Sequence, residues 1–172
     1  RAEAGRAIEQ LRALGVSRCV MLTGDSRRTA AAIAAEVGVD DFRAEVLPED
    51  KAAYVQELRG QGHTVIMVGD GINDSPALSA ANAGVAISSG AAIAREIADI
   101  TVSEGDLEEL VILRRAAMGL MARIRSNYRF VIGFNGGLIA LGLLGVLTPA
   151  AGATAHNLST LGVSLHSMTR LL

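Results

Sequence analysis

The chain has a single cysteine, Cys19, in 172 residues. That excludes an internal disulfide and any CxxC metal or redox motif. Cys19 lies in the apolar stretch CVMLTG, where a buried core thiol is expected. Aromatic residues make up 3% of the chain, and none interleave with a basic run. A stacking surface for a nucleic-acid strand is therefore missing. A large excess of one charge is missing too. The formal net charge of −2 argues by itself neither for nor against such a partner. No secretory leader is expected at the front of this stretch: residue 1 is Arg, and EAGRAIEQLRALGV reads as helix from the start. A piece of a longer protein is the expectation.

What is present is apolar. Half of the residues are AVILMFWYC and the mean hydropathy is +0.35. A soluble domain of this size usually sits lower, so some segment is expected in lipid or deeply buried. The length suits about one domain plus an appendage. The pattern divides near Glu104.

Before that point short apolar runs alternate with helical stretches. Helices are expected over Ala2–Leu14, Arg27–Val37, Pro48–Leu58, Pro76–Ala81 and Ala91–Ala98. Strands are expected over Cys19–Leu22, Val65–Val68, Val85–Ile87 and Ile100–Val102. This alternation predicts an α/β fold, a parallel sheet with helices on its faces. In such sheets chemistry collects at the carboxyl ends of the strands. Two acidic motifs sit there, MLTGD and MVGDGIND.

After that point GDLEELVILRRAAMGLMARIRSNYR reads as an amphipathic helix with a basic end. The stretch from Phe130 to Leu147 carries no charge. As a helix it would reach about 27 Å, near the thickness of a bilayer's hydrocarbon. A turn is expected at Thr148-Pro149, then a second uncharged stretch ending at Arg170. Arg123, Arg125 and Arg129 flank one end and Arg170 the other. By the positive-inside rule both ends are cytoplasmic, which predicts a transmembrane hairpin. The expected divisions are 1–104, 105–129 and 130–172, with spans at about 130–147 and 149–169.

In VIMVGDGINDSPAL an apolar strand delivers Asp70 at its tip. Gly69 and Gly71 let the backbone turn tightly, and Asp74 returns beside Asp70 after one turn. Two hard carboxylates suit Mg²⁺, which takes one or two of them plus phosphate and water. Asn73 adds a hydrogen-bonding amide. GDG alone would equally be an Asx-rich turn; the whole string is more specific. In MLTGD, Thr23 and the free amides around Gly24 and Asp25 can hold a phosphoryl oxygen, though an ordinary helix cap reads the same way. Lys51 stands in the first turn of its helix, where an ammonium opposes the dipole. Alone it would be a surface lysine. Taken in order, a threonine, a lysine and paired aspartates describe a site for a phosphoryl group, an ammonium and a magnesium ion.

These residues resemble a known pattern. Thr23 in TGD, Lys51, and Asp70 and Asp74 in GDGIND look like the second to fourth motifs of the haloacid dehalogenase superfamily. The uninterrupted MVGDGINDSPAL resembles the heavy-metal, P1B-type, cation-transporting P-type ATPases. The resemblance implies an incomplete haloacid dehalogenase-like (Rossmann-type) phosphorylation domain followed by the last two membrane helices. It implies Mg²⁺ and ATP as cofactors. Thr23, with Gly24, Asp25 and Asn73 around it, would hold the phosphoryl group. Lys51 would balance its charge, and Asp70 would hold Mg²⁺ with Asp74 in support. The implied place is a bacterial inner or plasma membrane, crossed several times, with the phosphorylation domain in the cytoplasm. The implied partners are the lipid bilayer, a divalent heavy-metal cation and the missing N-terminal part of the same pump.

Such pumps phosphorylate an aspartate in DKTGT, and no DKTGT occurs here. Mg²⁺ and Lys51 stabilise charge but cannot form an acyl phosphate, so the isolated chain is expected to be inactive. In the membrane part, Asn135 matches the family's asparagine, while Phe134, His156 and Ser159 stand where copper pumps tend to have Tyr, Met and Ser. With Asn157 these donors suit Zn²⁺, Co²⁺, Mn²⁺ or Fe²⁺ better than copper. They would equally serve as glue between helices. Two other readings remain: a membrane-anchored phosphatase or Mg²⁺/phosphate-binding module of haloacid dehalogenase type, and a non-catalytic remnant that pairs with a separately encoded front half.

Overall fold

Alanine supplies four of the twelve residues of Ala2–Ala13 and five of the eleven of Arg27–Val37, so these two helices pack through small side chains. A computed structural model describes residues 2–69, 72–87, 97–102 and 107–169. In order come α1 (Ala2–Ala13), β1 (Val20–Leu22), α2 (Arg27–Val37), β2 (Asp41–Arg43), α3 (Pro48–Gly60), β3 (Ile66–Gly69) and a 3₁₀ turn (Ile72–Asp74). Then follow α4 (Ser75–Ala80), β4 (Ala83–Ile87), β5 (Ile100–Val102), α5 (Glu108–Leu143) and α6 (Pro149–Ser167). The chain divides into two compact units, residues 1–112 and 113–172. The helix expected over Ala91–Ala98, and Asp70, Gly71 and Arg170, lie wholly or mainly outside the described residues.

In the first unit every strand pairing is parallel. β1 pairs β2 with Met21 opposite Phe42. β3, β4 and β5 form a second ladder, with Val68 opposite Val85 and Ala86 opposite Thr101. Parallel neighbours need crossover connections. α2 supplies one between β1 and β2, and α4 a short one between β3 and β4. The best-buried cluster joins Val55 of α3 to Ala77 and Ala80 of α4, with Ala52, Val65, Met67 and Ala81 against it. Leu78, Val85 and Ala86 are buried beside them in sequence, on α4 and β4. Gly84 lets β4 pass under α4, since a Cβ there would meet the Leu78 carbonyl oxygen at 2.8 Å.

Two features differ from expectation. β2 was not expected, because its leading aspartate is a poor strand former. The strand tolerates it because, among the described residues, β2 is an edge pairing only β1, where Asp41 bonds Arg18 at 2.7 Å. β1, expected to be buried, is only half-buried along its length, and so is Cys19. Among the described residues β1 has a partner on one side only. Ile66 of β3 is likewise 51% exposed.

The second unit is a helical hairpin. α5 runs without a break through the boundary expected near residue 130 and stops at Leu143. Gly145, at φ 71°, makes the left-handed turn, and Val146 donates its N–H back to the Leu141 carbonyl. The Thr148 side chain caps α6 by accepting from the Ala151 N–H, with Pro149 in the first turn. The open end is tied by Asn127 Nδ2 donating to Ser167 Oγ at 2.8 Å and by the Arg123 guanidinium on the Ser167 and Thr169 carbonyls. Among the described residues no helix is long and apolar enough to cross a membrane. The span expected over 130–147 is thus divided: its last residues form the turn rather than helix.

Candidate functional site

The loops after β1, β2 and β3 carry the acidic motifs. Thr23 follows β1 and is locked into its own loop. Its Oγ1 donates to Asp25 Oδ2 at 2.9 Å and accepts the Asp25 N–H at 3.1 Å. Ser26 caps α2, accepting the Thr29 N–H at 3.4 Å. Gly24 is exposed, as are Asp25 and Asn73.

The loop after β2 is stitched to the loop after β1. Thr23 N–H donates to the Arg43 carbonyl, Val46 N–H to the Thr23 carbonyl and Glu45 N–H to the Asp25 carbonyl, at 2.9, 3.0 and 2.9 Å. Glu45 adopts φ 56°, the left-handed region. The Arg43 guanidinium lies 4.7 Å from the centre of the Tyr54 ring, which anchors α3.

Lys51 does not point into solvent. Its Nζ donates to Asp74 Oδ1 at 2.7 Å, and the two side chains are only 15% and 11% exposed. Asp74 packs over Gly69, where a Cβ would fall 2.9 Å from Asp74 Oδ2. Ser75 Oγ, next in sequence, is buried without a hydrogen-bond partner among the described residues. The carboxylate oxygens of Asp74 are of the hard kind that Mg²⁺ takes beside water and phosphate. No group of three or more His, Cys, Asp or Glu gathers among the described residues.

Below this lies a structural charge cluster. Asp40 Oδ2 accepts the Cys19 N–H at 2.7 Å, and Asp40 Oδ1 faces Arg12 at 3.0 Å. The Cys19 N–H, then Arg12, hold the Asp40 carboxyl below its ordinary range. Burial pushes the Cys19 thiol up, against the pull of Arg12.

In the hairpin, His156 Nδ1 and Asn135 Oδ1 are 2.9 Å apart. An amide oxygen only accepts, so in this pairing His156 Nδ1 is the donor. Ser159 Oγ donates to the His156 carbonyl at 2.8 Å.

A family model for haloacid dehalogenase-like hydrolases matches residues 1–82. The manganese-exporting P-type ATPase of Mycobacterium leprae is 43% identical over 168 residues, which is 97% of this chain and 23% of that protein. The copper-exporting P-type ATPase of Staphylococcus haemolyticus is 44% identical over 163 residues, 95% of this chain and 20% of that protein. A crystal structure of a zinc-transporting PIB-type ATPase superposes on all of this chain, and on 28% of its own, with 42% identity and a TM-score of 0.88. Over the length it has, the chain is similar to the corresponding part of heavy-metal P-type ATPases. Its first unit has the haloacid dehalogenase-like parallel-sheet fold. It spans about a quarter of the length of the curated relatives it matches.

Of the residues expected to form the P-type ATPase site, the structure brings Lys51 and Asp74 into contact, and Thr23, Gly24 and Asp25 into one loop. Asp70 lies outside the described residues. Asn135 and His156 meet; Asn157 is exposed on the neighbouring helical position and cannot share their face. Sequence reasoning missed the Lys51–Asp74 contact, Arg43 and Glu45. The first had a signal, since a lysine misplaced for the helix dipole needs another reason to be there. A left-handed glutamate has none in its residue type.

Proposed function

We propose that the chain supplies the Mg²⁺- and phosphate-binding half of an aspartyl-phosphate site in an ATP-driven heavy-metal pump. One observation carries this reading: Lys51 and Asp74, from separate helix starts, meet at 2.7 Å just past β3. A largely buried ion pair at the carboxyl end of a parallel sheet holds charge where a phosphoryl group arrives. Thr23 would exchange its hydrogen bond to Asp25 for one to a phosphoryl oxygen, beside the amides of Gly24 and Asp25. Lys51 would turn its ammonium toward the same oxygens, and Asn73 would line the rim. Asp74, with Asp70, would hold Mg²⁺. Bound there, Mg²⁺ would neutralise phosphate charge. The nucleophilic carboxylate and the ATP pocket would come from the missing N-terminal part of the pump.

The hairpin is the membrane part of this proposal. Large apolar side chains line its surface: Leu143 is 85% exposed, and Ile139, Leu144, Val146 and Leu158 are exposed too. Uncovered in water such a face is untenable. Thr154, Thr160, Ser164 and Ser167 each donate to a carbonyl one turn back, which satisfies hydroxyls where water is absent. We place the hairpin in the lipid of a bacterial plasma membrane, with the first unit in the cytoplasm. Among other helices it would follow a path for a divalent cation, with His156 Nε2 as the donor turned to the cargo. Asn135 would orient it, and Ser159 would contribute an oxygen.

The test is turnover. Purified 1–172 is expected to hydrolyse no ATP with Mg²⁺. Co-expressed with the upstream part of such a pump, it restores a Mg²⁺-dependent phosphoenzyme that Lys51→Ala and Asp74→Ala abolish. Brisk hydrolysis by the chain alone, lost on Asp70→Ala, would overturn the reading.

A further inference from the structure

Three facts about one short loop point the same way. Glu45 is the non-glycine residue with positive φ among the described residues, at 56°. Its N–H and that of Val46 both donate into the Thr23–Asp25 loop, to the Asp25 and Thr23 carbonyls. Two residues on, Leu47 accepts the Lys51 N–H at 3.1 Å as α3 begins.

In extended chain, successive N–H groups point to opposite sides. For residues 45 and 46 to bond the same neighbouring loop, the backbone between them must turn, and a left-handed residue turns both amides to one side. The conformation of Glu45 is thus the hinge of a brace. On one side stands Thr23, on the other the start of α3, which delivers Lys51 to Asp74. The Glu45 side chain itself is exposed. Its backbone is what matters.

We infer that Glu45 is a positioning residue: its left-handed backbone sets Thr23 and Lys51 at the spacing that takes a phosphate group. This rests on the proposed phosphate site. It predicts that variants sort by tolerance of positive φ, not by charge. Glycine and asparagine accept the conformation, alanine accepts it poorly and valine hardly at all.

The experiment titrates the full 172-residue chain, in detergent, with inorganic phosphate at saturating Mg²⁺, and separately with Mg²⁺ alone. Amide resonances and calorimetry give both affinities. Glu45→Gly and Glu45→Asn are expected within about twofold of the parent chain for both ligands, while Glu45→Val weakens phosphate about tenfold and leaves Mg²⁺ alone unchanged. A general loss of structure would lower both affinities together. Should Glu45→Val fail to fold, Glu45→Ala decides, with phosphate about threefold weaker than in Glu45→Gly. Equal phosphate affinity in Val (or Ala) and Gly variants overturns the positioning role while leaving the site standing. A parent chain that binds Mg²⁺ but no phosphate overturns the phosphate site and this inference with it.

Discussion

Asp74 lies so tightly over Gly69 that a Cβ at position 69 would come within 2.7 Å of the Asp74 Cβ. The residue just before Asp70 is therefore glycine for the sake of a carboxylate five positions later. Gly69→Ala pushes Asp74 off Lys51 and costs about 1–3 kcal/mol. Gly84→Ala costs more, because it meets the backbone oxygen of Leu78 at 2.8 Å rather than a side chain that can rotate. Urea denaturation of both variants ranks them; a Gly84→Ala milder than Gly69→Ala would contradict this packing.

The Lys51–Asp74 pair is largely buried, so its partners depend on one another. Lys51→Met alone leaves a carboxylate without its cation and costs about 3 kcal/mol. Adding Asp74→Leu recovers most of that loss, since an apolar pair needs no compensation. A double-mutant cycle in urea measures the coupling. Additive losses in the two single variants would mean that the pair is not coupled.

Much of this was legible in the sequence, and the failures have physical causes. Helices α2 and α3, expected over Arg27–Val37 and Pro48–Leu58, form over Arg27–Val37 and Pro48–Gly60, because helix ends follow local signals such as Pro48. Lys51 and Asp74 were expected at one site because motif order carries that information; their direct contact is tertiary and does not. Strand β2 was invisible because its polar residues are tolerated only at an edge. The burial expected for β1 failed because burial belongs to neighbours, and β1 has one on a single side among the described residues. The end of α5 was misplaced by four residues because apolar content does not say where a glycine turns left-handed; Gly145 does that.

Acid weakens the first unit through Asp40. The Cys19 N–H and Arg12 lower its pKa in the folded chain. The unfolded chain then binds the proton more readily, so this contribution is complete above the ordinary aspartate value, near 3.9, and fades as pH falls through the lowered one. Asp40→Asn keeps the shape and removes the ionisation. Stability measured from pH 6 to pH 2 is expected to fall less steeply in the variant at the acid end. Parallel curves would remove Asp40 from the account.

The hairpin makes the sharpest distinction among its polar residues. His156 Nδ1 faces Asn135 Oδ1 at 2.9 Å, so a neutral ring held there presents Nε2 to a metal. Ligating histidines are commonly held this way, and losing the outer partner typically weakens metal binding about 10- to 100-fold. Asn157 sits roughly 100° around the helix from His156 and takes no part in that arrangement. In detergent-solubilised chain titrated with Zn²⁺, His156→Ala is expected to abolish the tightest binding step. Asn135→Leu weakens it about tenfold, and Asn135→Asp strengthens it, because a carboxylate makes the imidazole a better donor. Asn157→Ala leaves it unchanged. If Asn157→Ala costs as much as His156→Ala, or if Asn135→Leu lowers the hairpin's thermal stability without touching Zn²⁺ affinity, the Asn135–His156 contact only holds two helices together.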